Sequence, residues 1–446
     1  MNIKGRRYIF VCALWPWMGL NAQTIDLSAD LSTAADTPEA SVAAQIGSIC
    51  SRLSALPSRS DDQNQLLSAC TELGDASNDF DERVSGLVAI SAKASTAQMT
   101  TSTRTALGDN TNFIGQRLNA LRKGLAFQDV ATVNLYYNDM QFADVNLHRV
   151  NGGGAGSDEG DSGFSGYLNG DYSIAEQTAN DYLAGYESDA FSLTAGGDTR
   201  IANQGVVGVA LHYLSNSLDL SHGQGELEGS GLGLIVYGSY FPADDWFFEA
   251  SLHSGSSSYD MSRRVDFTIN NIAFNETAKS STDAKQSGFS FGGGKDITLN
   301  NGALLAFSGQ LNYLISDIDA YAESGGGGFD LNIESQEIKQ TLVGLSVQLT
   351  KAMSTASGVF IPSIRLSLIK DFSADEQDVT ASFVSDPDNA PFSFSTPTRD
   401  SSYAELAVGS SFYLVSGAAI FAQLETLQLL DDYDQLTFSF GYRQEL

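Results

Sequence analysis

Two glycine-rich motifs in this chain contain residue types that do chemistry in other proteins. Gly160–Asp161–Ser162–Gly163 is similar to the motif around the nucleophilic serine of lipase-like hydrolases, and Gly153–Asp158 matches the start of a calcium-binding nonapeptide. Both lie in one stretch, NGGGAGSDEGDSG at 151–163, whose composition is typical of a flexible linker. One nonapeptide cannot build the stacked turns that bind calcium, and the sequence before the linker is too short for a hydrolase domain. We therefore interpret 151–161 as an acidic linker.

The histidines do not predict a metal site or an active site. They are scattered, without the spacing that metal ligands show, at His148, His212, His222 and His253. Nothing in the sequence forms a catalytic constellation, so we expect a protein without enzymatic activity, metal or cofactor. The alternative, an enzyme carried on the chain, would need a nucleophile, acid or metal site within 23–160, where the sequence reveals none.

The first residues indicate export. Lys4, Arg6 and Arg7 precede an apolar run from Tyr8 to about Leu20, and polar sequence begins after Ala22. This order predicts a secretory signal peptide, 1–22, that is cleaved near Ala22. An uncleaved anchor helix is the alternative, but the run is shorter than the roughly 20 residues that span a membrane as a helix.

The redox state of the two cysteines that follow the signal peptide depends on this export. Cys50 and Cys70 would meet an oxidising periplasm, which favours one disulfide over the alternative of two buried thiols. Apolar residues at three- and four-residue intervals around each cysteine predict two helices, the second capped near Ser60. The disulfide would therefore join a helical hairpin, 39–74, that is too small to hold a core unaided.

The rest of the N-terminal region, 23–150, is predicted to be largely helical. Residues 80–108 are rich in Ala, Ser and Thr with scattered apolar positions, and 109–123 has a capping residue and a stop at Gly124. Residues 127–150 are ambiguous. The formal net charge of the whole chain is -30, which repels nucleic acid and excludes it as a partner.

The last stretch, 434–446, predicts a β-strand with one apolar face. Its alternate residues separate into an apolar set that ends the chain, Leu436, Phe438, Phe440, Tyr442 and Leu446, and a polar or small set, Thr437, Ser439, Gly441 and Arg443. Similar strands recur back to about residue 162, with polar residues on the alternate face. A sheet that is apolar outside and polar inside is typical of a membrane barrel.

The connections between these strands favour the same architecture. Tight turns, such as those near 202–203, 300–301 and 416–417, alternate with long polar loops, at 218–225, 263–281, 323–334 and 373–401. Outer-membrane barrels show this alternation, whereas a soluble β-sandwich, the alternative, does not require it. We therefore predict an all-β transmembrane barrel of about 12 antiparallel strands at 162–446, after a small α-helical region. Charges predicted to face its lumen are Glu249, Arg365, Glu405 and Glu425.

The C-terminal part resembles the β-domain of bacterial autotransporters, the translocator of type V secretion. The resemblance is carried by Ile361–Phe372, Phe383–Tyr403, Ala407–Leu427 and the closing FSFGYRQEL, and it covers roughly 162–446. The terminal Leu446 departs from the usual Phe. The cysteine hairpin and the NFIGQRLNALRKG segment are similar to the short N-terminal region of members without a large β-helical passenger.

The resemblance implies a pore occupied by a helical segment, in the outer membrane of a Gram-negative bacterium. Its expected partners are outer-membrane lipid, the barrel assembly machinery and periplasmic chaperones. Residues 109–127 have about the 20-residue length that a helix needs to cross, and Arg117, Arg122 and Lys123 on them could pair with the lumenal glutamates. Alternatively, these cations lie on an ordinary solvated helix face. The implied function is translocation or anchoring of the short N-terminal region; the alternative is a plugged barrel whose helical region stays in the periplasm.

Overall fold

The computed structural model describes five parts of the chain: residues 38–91, 93, 133–137, 140–145 and 164–445, the last without 182, 202–203, 244, 376, 397–398 and 415. The signal peptide at 1–22, the linker at 151–161 and the terminal Leu446 lie outside the described residues. So does the segment 109–127, with Arg117, Arg122 and Lys123. Those four expectations therefore stay predictions.

Three helices form the first described part: α1 (Pro38–Ala55), α2 (Asp61–Gly74) and α3 (Phe80–Ile90). Helix α2 begins where the sequence predicts it, at Ser60, because Ser60 and Gln63 each satisfy the backbone N–H of the other in a capping box. Asp79 caps α3 by accepting hydrogen bonds from the first amides of the helix. Within the described part of the chain, no helix combines the length and apolar character that a membrane crossing requires.

A disulfide joins the first two helices. Cys50 of α1 and Cys70 of α2 are bonded, with their Cα atoms 5.7 Å apart. Cys70 is fully buried. The helical hairpin that the sequence predicts at 39–74 is therefore present, and the bond lies inside its core.

Two short strands, β1 (Val133–Tyr137) and β2 (Met140–Val145), follow in the stretch whose pattern was ambiguous. They pair antiparallel with each other. The N-terminal region is thus helical in its described first part and contains a β-hairpin near its end.

Twelve antiparallel strands form a closed barrel, in agreement with the predicted fold. They are β3 (Phe164–Gln177), β4 (Tyr186–Ile201), β5 (Gly205–Leu220), β6 (Gly225–Ala243), β7 (Trp246–Ile269), β8 (Ile272–Thr298), β9 (Ala303–Ile318), β12 (Gln336–Lys351), β14 (Gly358–Asp371), β17 (Ser402–Leu414), β18 (Ala418–Gln428) and β19 (Tyr433–Glu445). The first and last of them close the barrel, in a register that runs from Ser165 opposite Glu445 to Gln177 opposite Tyr433.

Five shorter strands lie outside this set: β10 (Tyr321–Ala322), β11 (Leu331–Ile333), β13 (Met353–Thr355), β15 (Asp378–Phe383) and β16 (Phe392–Ser395). Strand β13 pairs with the start of β14. The other four form a separate sheet in the order β10–β11–β15–β16. That sheet is built from the two longest connections of the barrel.

Alternation within the barrel strands places apolar residues outside and polar residues inside. In β19, the structure places Leu436, Phe438, Phe440 and Tyr442 on the outer face, between 39% and 50% exposed, and buries Thr437, Ser439 and Arg443 on the inner face. Apolar side chains on the outer face of a barrel contact lipid, and polar ones line the lumen. The C-terminal strand therefore has the two faces that its sequence predicts.

The two ends of the barrel differ in their connections. Short turns occupy one end, which also holds the start of β3 at Phe164 and the end of β19 at Glu445. We call it the short-turn end. The opposite, long-loop end carries the two long connections at 319–335 and 372–401, which include the separate four-stranded sheet.

The prediction of a loop at 263–281 is wrong, because β7 and β8 continue through this range as one protruding hairpin. Asn270 and Asn271 form its tip, with φ angles of 49° and 63°, the left-handed pair that a type I′ turn requires. The polarity of the two strand faces switches near residue 258. The inward residues of β7 are polar or glycine from 249 to 257, and most of those after 258 are apolar, as at Val265 and Phe267. A strand that leaves the lipid loses its apolar outer face, and its composition then resembles that of a loop.

The predicted loop at 218–225 is also shorter than expected. Strand β5 runs to Leu220, and a single 3-10 turn, Ser221–Gly223, connects it to β6. The long polar connections therefore number fewer than the sequence indicates, although the longest two lie where they were predicted.

The disulfide predicts a test of the helical hairpin. Replacing both Cys50 and Cys70 by Ser removes a crosslink with a sequence separation of 20 residues, whose chain-entropy contribution is roughly 3 kcal/mol. We expect residues 38–91 to be cleaved faster in limited proteolysis. The barrel should keep its heat-modifiable mobility on gels, because no barrel strand depends on the bond.

Reductant is the matched control. It should accelerate proteolysis of the wild-type protein to the rate of the double variant and should leave the variant unchanged. Equal protease resistance of wild type and variant would show that the disulfide does not stabilise the hairpin.

Candidate functional site

The three helices sit on the long-loop end of the barrel. We call residues 38–91 the helical cap, and we call the surface beneath it, formed by the β7–β8 tip at 259–276 and the connections 319–335 and 372–401, the loop platform. Helix α3 packs on β7, α2 on the 3-10 turn Gly327–Phe329, and α1 on β16. All three parts of the platform therefore contact the cap.

An ion pair fastens α1 to the platform. Arg52 donates two hydrogen bonds to Asp386, from Nε at 2.8 Å and from Nη2 at 2.6 Å. The Asp386 side chain is fully buried and also accepts from the amide of Ala390 at 2.9 Å. Burial alone would raise the pKa of Asp386, but the hydrogen bonds from Arg52 and from Ala390 outweigh it and hold the pKa below its ordinary value. The bidentate geometry of an Arg–carboxylate pair fixes the orientation of the helix as well as its distance.

A second, fully buried pair lies under α3. Arg263 of β7 is 1% exposed and donates to both carboxylate oxygens of Glu323, from Nε at 2.9 Å and from Nη2 at 2.5 Å. Its guanidinium also donates to the carbonyl oxygens of Phe329, at 2.8 Å, and of Ala89 in α3, at 3.3 Å. One side chain thus connects the barrel hairpin, the 319–335 connection and the cap. A buried charge is tolerated only when it is paired and hydrogen-bonded in this way.

Further polar contacts join α2 and α3 to the loop platform. Gln65 donates to Glu276 at 2.6 Å and accepts from the amide of Gly328 at 3.0 Å. At the tip of the hairpin, the backbone N–H of Asn270 donates to Glu82 and its side-chain amide donates to Glu72, both at 3.0 Å. The acidic side chains of the cap are therefore used to hold the tip of the β7–β8 hairpin.

Gly328 allows the platform to approach the backbone of α2. A Cβ at this position would lie 2.4 Å from the carbonyl oxygen of Asp62 and 2.7 Å from the amide nitrogen of Leu66. Both are backbone atoms, so α2 would have to move to accept any side chain. Only glycine permits this separation of helix and loop.

The cap and the platform share one hydrophobic core. Phe267 and Phe274 stack with ring centroids 4.7 Å apart, and Phe329 meets both edge-on at 5.8 Å and 5.7 Å. Residues of all three helices, among them Leu66 and Leu87, belong to the same buried cluster as this aromatic group. The larger share of the cluster comes from the barrel side, so the cap has little core of its own.

Inside the barrel, the structure brings three of the four predicted lumen charges together. Arg365 of β14, Ala407 of β17 and Glu425 of β18 lie opposite one another across adjacent strands. Because Ala407 is small, the guanidinium passes over it, and Arg365 Nη2 donates to Glu425 Oε2 at 2.5 Å. Glu405, two residues along β17 from Ala407, lies in the field of both charges. The cluster has two acids and one base.

The fourth predicted lumen charge lies elsewhere. Glu249 is on β7, opposite Ser239 of β6 and Gly292 of β8, and β7 is four strands from β14 in the sheet. The buried His212 shares a hydrogen bond of 2.8 Å with Thr194. In the parts of the chain that the structure describes, no three His, Cys, Asp or Glu side chains are grouped so that they could hold a metal ion.

Sequence reasoning missed the residues that fix the cap. Arg52, Arg263 and Asp386 were not singled out, because their partners lie far away in sequence: Arg52 and Asp386 are 334 residues apart. A signal was available for Arg263, since it occupies the inward position of an alternating apolar stretch in β7, where a lone charge indicates a buried partner.

Comparison with known proteins agrees with this architecture. The family described as the autotransporter beta-domain matches residues 150–425, more than half of the chain. No curated protein sequence matches the chain significantly. Among solved structures, the fold is similar to the translocator domain of autotransporter NalP from Neisseria meningitidis, with a TM-score of 0.55 and 12% identity, covering 79% of this chain and 100% of that chain.

Two further structures are similar at lower scores. The β domain of the Bordetella autotransporter BrkA gives a TM-score of 0.46 and 18% identity, covering 64% of this chain and 100% of that chain. The transport unit of the autotransporter AIDA-I from Escherichia coli gives 0.43 and 10%, covering 74% of this chain and 99% of that chain. The family match, together with the likeness to NalP, is what decides the classification.

The lumen pair predicts a stability defect in the barrel. Arg365→Met removes the guanidinium from Glu425, which is 4% exposed, and breaking a buried pair costs about 3 kcal/mol. We expect the folded band on heat-modifiability gels to convert at a lower temperature. Arg365→Met combined with Glu425→Met should recover part of that loss, because Glu425 then no longer leaves a buried charge without its partner, whereas Glu405 still loses the nearby cation.

Lys339 and Glu337 on β12 provide the matched control, since they form an ion pair of which both side chains are about half exposed. Lys339→Met should shift the transition little, because exposed pairs contribute at most about 1 kcal/mol. Equal shifts for Arg365→Met and Lys339→Met would contradict a stabilising role of the lumen pair.

The Arg52–Asp386 contact predicts a pH-dependent attachment of α1. The pKa of Asp386 is lowered in the folded protein. The contact therefore stabilises the docked cap fully at pH values above about 3.9, the pKa of an aspartate in the unfolded chain. This stabilisation is lost as the pH falls through the lower folded-state pKa. Arg52→Met should therefore speed hydrogen exchange in α1 at neutral pH, and the difference from wild type should shrink below about pH 4.

Exchange rates measured by mass spectrometry and corrected for intrinsic pH dependence provide the measurement. Arg264→Met, which affects an ion pair with Asp266 of which both side chains are about half exposed, is the control and should leave α1 unchanged. A difference between wild type and Arg52→Met that stayed constant down to pH 3 would rule out the carboxylate as its origin.

Proposed function

Because the chain belongs to the autotransporter β-domain family, whose barrels are outer-membrane proteins that contact lipid, we propose that this barrel carries its own N-terminal region across the outer membrane and displays it as the helical cap on the cell surface. Barrels of this family are in general transport domains rather than catalysts, and the proposed role is translocation and anchoring without enzymatic activity. The barrel would be both the route and the final support of the cap.

The observation that carries the proposal is the position of the cap relative to the start of the barrel. Helix α3 ends at Ile90 on the long-loop end, whereas β3 begins at Phe164 on the short-turn end. In outer-membrane barrels the short turns face the periplasm and the long loops face outside. The chain would therefore enter the barrel from the periplasmic side, whereas its folded helical cap would lie on the outer side.

The position of the hairpin β1–β2 limits which residues could make this crossing. Strand β1 lies beside β13, and the turn that joins β13 to β14 is at the short-turn end. In the proposed route, the chain would therefore cross from the long-loop end to the short-turn end between 93 and 133. We propose that this crossing runs through the lumen and includes the helix predicted at 109–127, whose length suits a crossing of about 30 Å.

The lumen charges support a chain in that position. Glu405 and Glu425 share one cation, Arg365, so a further cation in the lumen would have a carboxyl group to pair with. Arg117, Arg122 and Lys123 would bring positive charge into the lumen, as the sequence hypothesis requires. Pairing between charges buried inside the barrel is worth more than pairing on a solvated surface, because water screens it less, so these contacts would hold the helix in place.

Assembly would use the usual partners of such a chain. We propose that the signal peptide directs export and that periplasmic chaperones hold the unfolded strands. The barrel assembly machinery would then act on β19, whose outer face presents the row Leu436, Phe438, Phe440 and Tyr442. An unpaired strand with an apolar face needs such protection because it would otherwise aggregate.

The alternative, a plugged barrel with the helical region retained in the periplasm, requires the helices to lie at the short-turn end. The contacts of Arg52 with Asp386, of Gln65 with Gly328 and of Ala89 with Arg263 all join the helices to the opposite, long-loop end. The position of the cap thus favours surface display.

Cysteine labelling of intact cells tests this proposal. Single variants Ser58→Cys in the cap, Ala320→Cys in the loop platform and Ser357→Cys in a short turn each place a thiol at an exposed position. We expect a membrane-impermeant maleimide to label Ser58→Cys and Ala320→Cys on intact cells, and Ser357→Cys only after the outer membrane is permeabilised. Cys50 and Cys70 are bonded and do not react.

The two control positions define the two sides of the membrane. If Ser58→Cys required permeabilisation, as Ser357→Cys should, the helical region would be periplasmic and the alternative function would stand. If Ala320→Cys were also unlabelled on intact cells, the orientation of the whole barrel would be reversed.

A further inference from the structure

The size and composition of the helical cap make it a weak domain by itself. Residues 38–91 are near the length of roughly 60 residues at which an isolated domain is only marginally stable. The cap carries eight acidic residues and only three arginines and lysines within that range. Mutual repulsion among these charges lowers the stability of the cap further.

The helices contact the platform at least as extensively as they contact one another. Helix α3 packs more extensively on β7 than on α1 or α2, and α2 packs on the 3-10 turn Gly327–Phe329 as extensively as on α1. Gly86 of α3, for example, lies between Leu73 of α2 and Phe267 of β7. Removal of the cap would therefore expose a large part of both surfaces to water.

The aromatic group of the platform makes that exposure costly. Phe267, Phe274 and Phe329 are at most 4% exposed in the folded protein. Each phenylalanine of this kind buries about 150 Å² or more, and burial of apolar area is the main driving force for such contacts. Part of this area is covered by β-strand neighbours, but Phe267 touches α3 directly, and Phe329 follows Gly328, which touches α2.

The buried charges add specificity to this apolar contact. Departure of the cap would remove the Ala89 carbonyl from Arg263 and the guanidinium of Arg52 from Asp386, whose side chain is fully buried in the docked state. The two-bond contact between Arg52 and Asp386 forms in one geometry only, so it favours one orientation of the docked cap. Because the tight approach at Gly328 is to backbone atoms of α2, the platform accepts this helix in one position only.

We propose that the loop platform is a non-covalent receptor for the helical cap, so that the cap remains bound to the barrel when the chain that joins them is cut. The proposal deepens the proposed function, because it describes what happens to the displayed region once it reaches the long-loop end. A protease that cuts between the cap and the barrel would leave the cap attached rather than release it. The N-terminal region is then a permanent part of the barrel surface and not a secreted fragment.

Cleavage of the full-length protein tests the proposal. An insertion after Thr100, with a protease recognition sequence between glycine–serine repeats, lies beyond Lys93, which pairs with Glu39 of α1. The protein is purified in detergent, cut and passed over a size-exclusion column. We expect the cap fragment to elute with the barrel and to separate only in denaturant. Elution of the cap as a separate species in native buffer would overturn the proposal.

Two glycine variants show whether the platform holds the cap. In the cut protein, Gly328→Ala should release at least tenfold more cap than wild type, because its Cβ meets the backbone of α2. Gly344→Ala is the matched control: it is also a glycine-to-alanine change, and its nearest atom is Ile369 Cγ1 at 3.7 Å. Equal retention in both variants would mean that the cap is held elsewhere, which would overturn the proposal.

The result is separate from the outcome of the labelling experiment. Labelling of Ser58→Cys only after permeabilisation would overturn surface display, and retention of the cut cap on the purified barrel would be unaffected. Conversely, release of the cap from the purified barrel would overturn the receptor proposal and would leave surface display standing.

Discussion

The pairing of β3 with β19 is the constraint on which the rest of the structure depends. In hydrocarbon an unpaired backbone N–H or C=O costs several kcal/mol, so a spanning sheet cannot keep free edges. The register from Ser165 opposite Glu445 to Gln177 opposite Tyr433 removes both edges. Because the number of strands is even, closure places the first and last strand ends at the same end of the barrel. The chain therefore enters β3 from the short-turn end, whereas the helical cap lies at the opposite, long-loop end.

Strand length explains why an element is needed at that other end. Strands β7 and β8 have 24 and 27 residues, whereas about 10 tilted residues cross a membrane. The excess leaves the lipid, and its apolar residues change from the outward face to the inward face near residue 258. Below this point lipid covers the apolar side of the sheet, and above it protein must do so. The cap covers Phe267 and its aromatic neighbours for the same physical reason that lipid covers Leu252.

How much of this structure the sequence predicts depends on how far apart in sequence the interacting residues lie. Local signals succeeded: the Ser60 capping box, the helical periodicity around Cys50 and Cys70, and the strand alternation that led to 12 strands. Interactions that need register were out of reach, since Arg365 meets Glu425 only because Ala407 lies between them. The hairpin at 263–281 was lost for a different reason. Its composition is that of a strand in water, and polarity by itself does not separate such a strand from a loop.

The composition of the platform also constrains the order of assembly. Its three parts, the β7–β8 tip and the connections 319–335 and 372–401, are widely separated in sequence and meet only because the strands below them are paired. Arg263 illustrates this, since it needs Glu323 and Phe329 before it can offer its remaining donor to Ala89. Contacts between distant segments form late because the loops that join them must first be closed. A docked cap therefore presupposes a largely formed barrel, and in the proposed route the cap would cross a lumen that already has its wall. The narrow fit at Gly328 then belongs to the last step, when α2 meets a platform whose shape is already fixed.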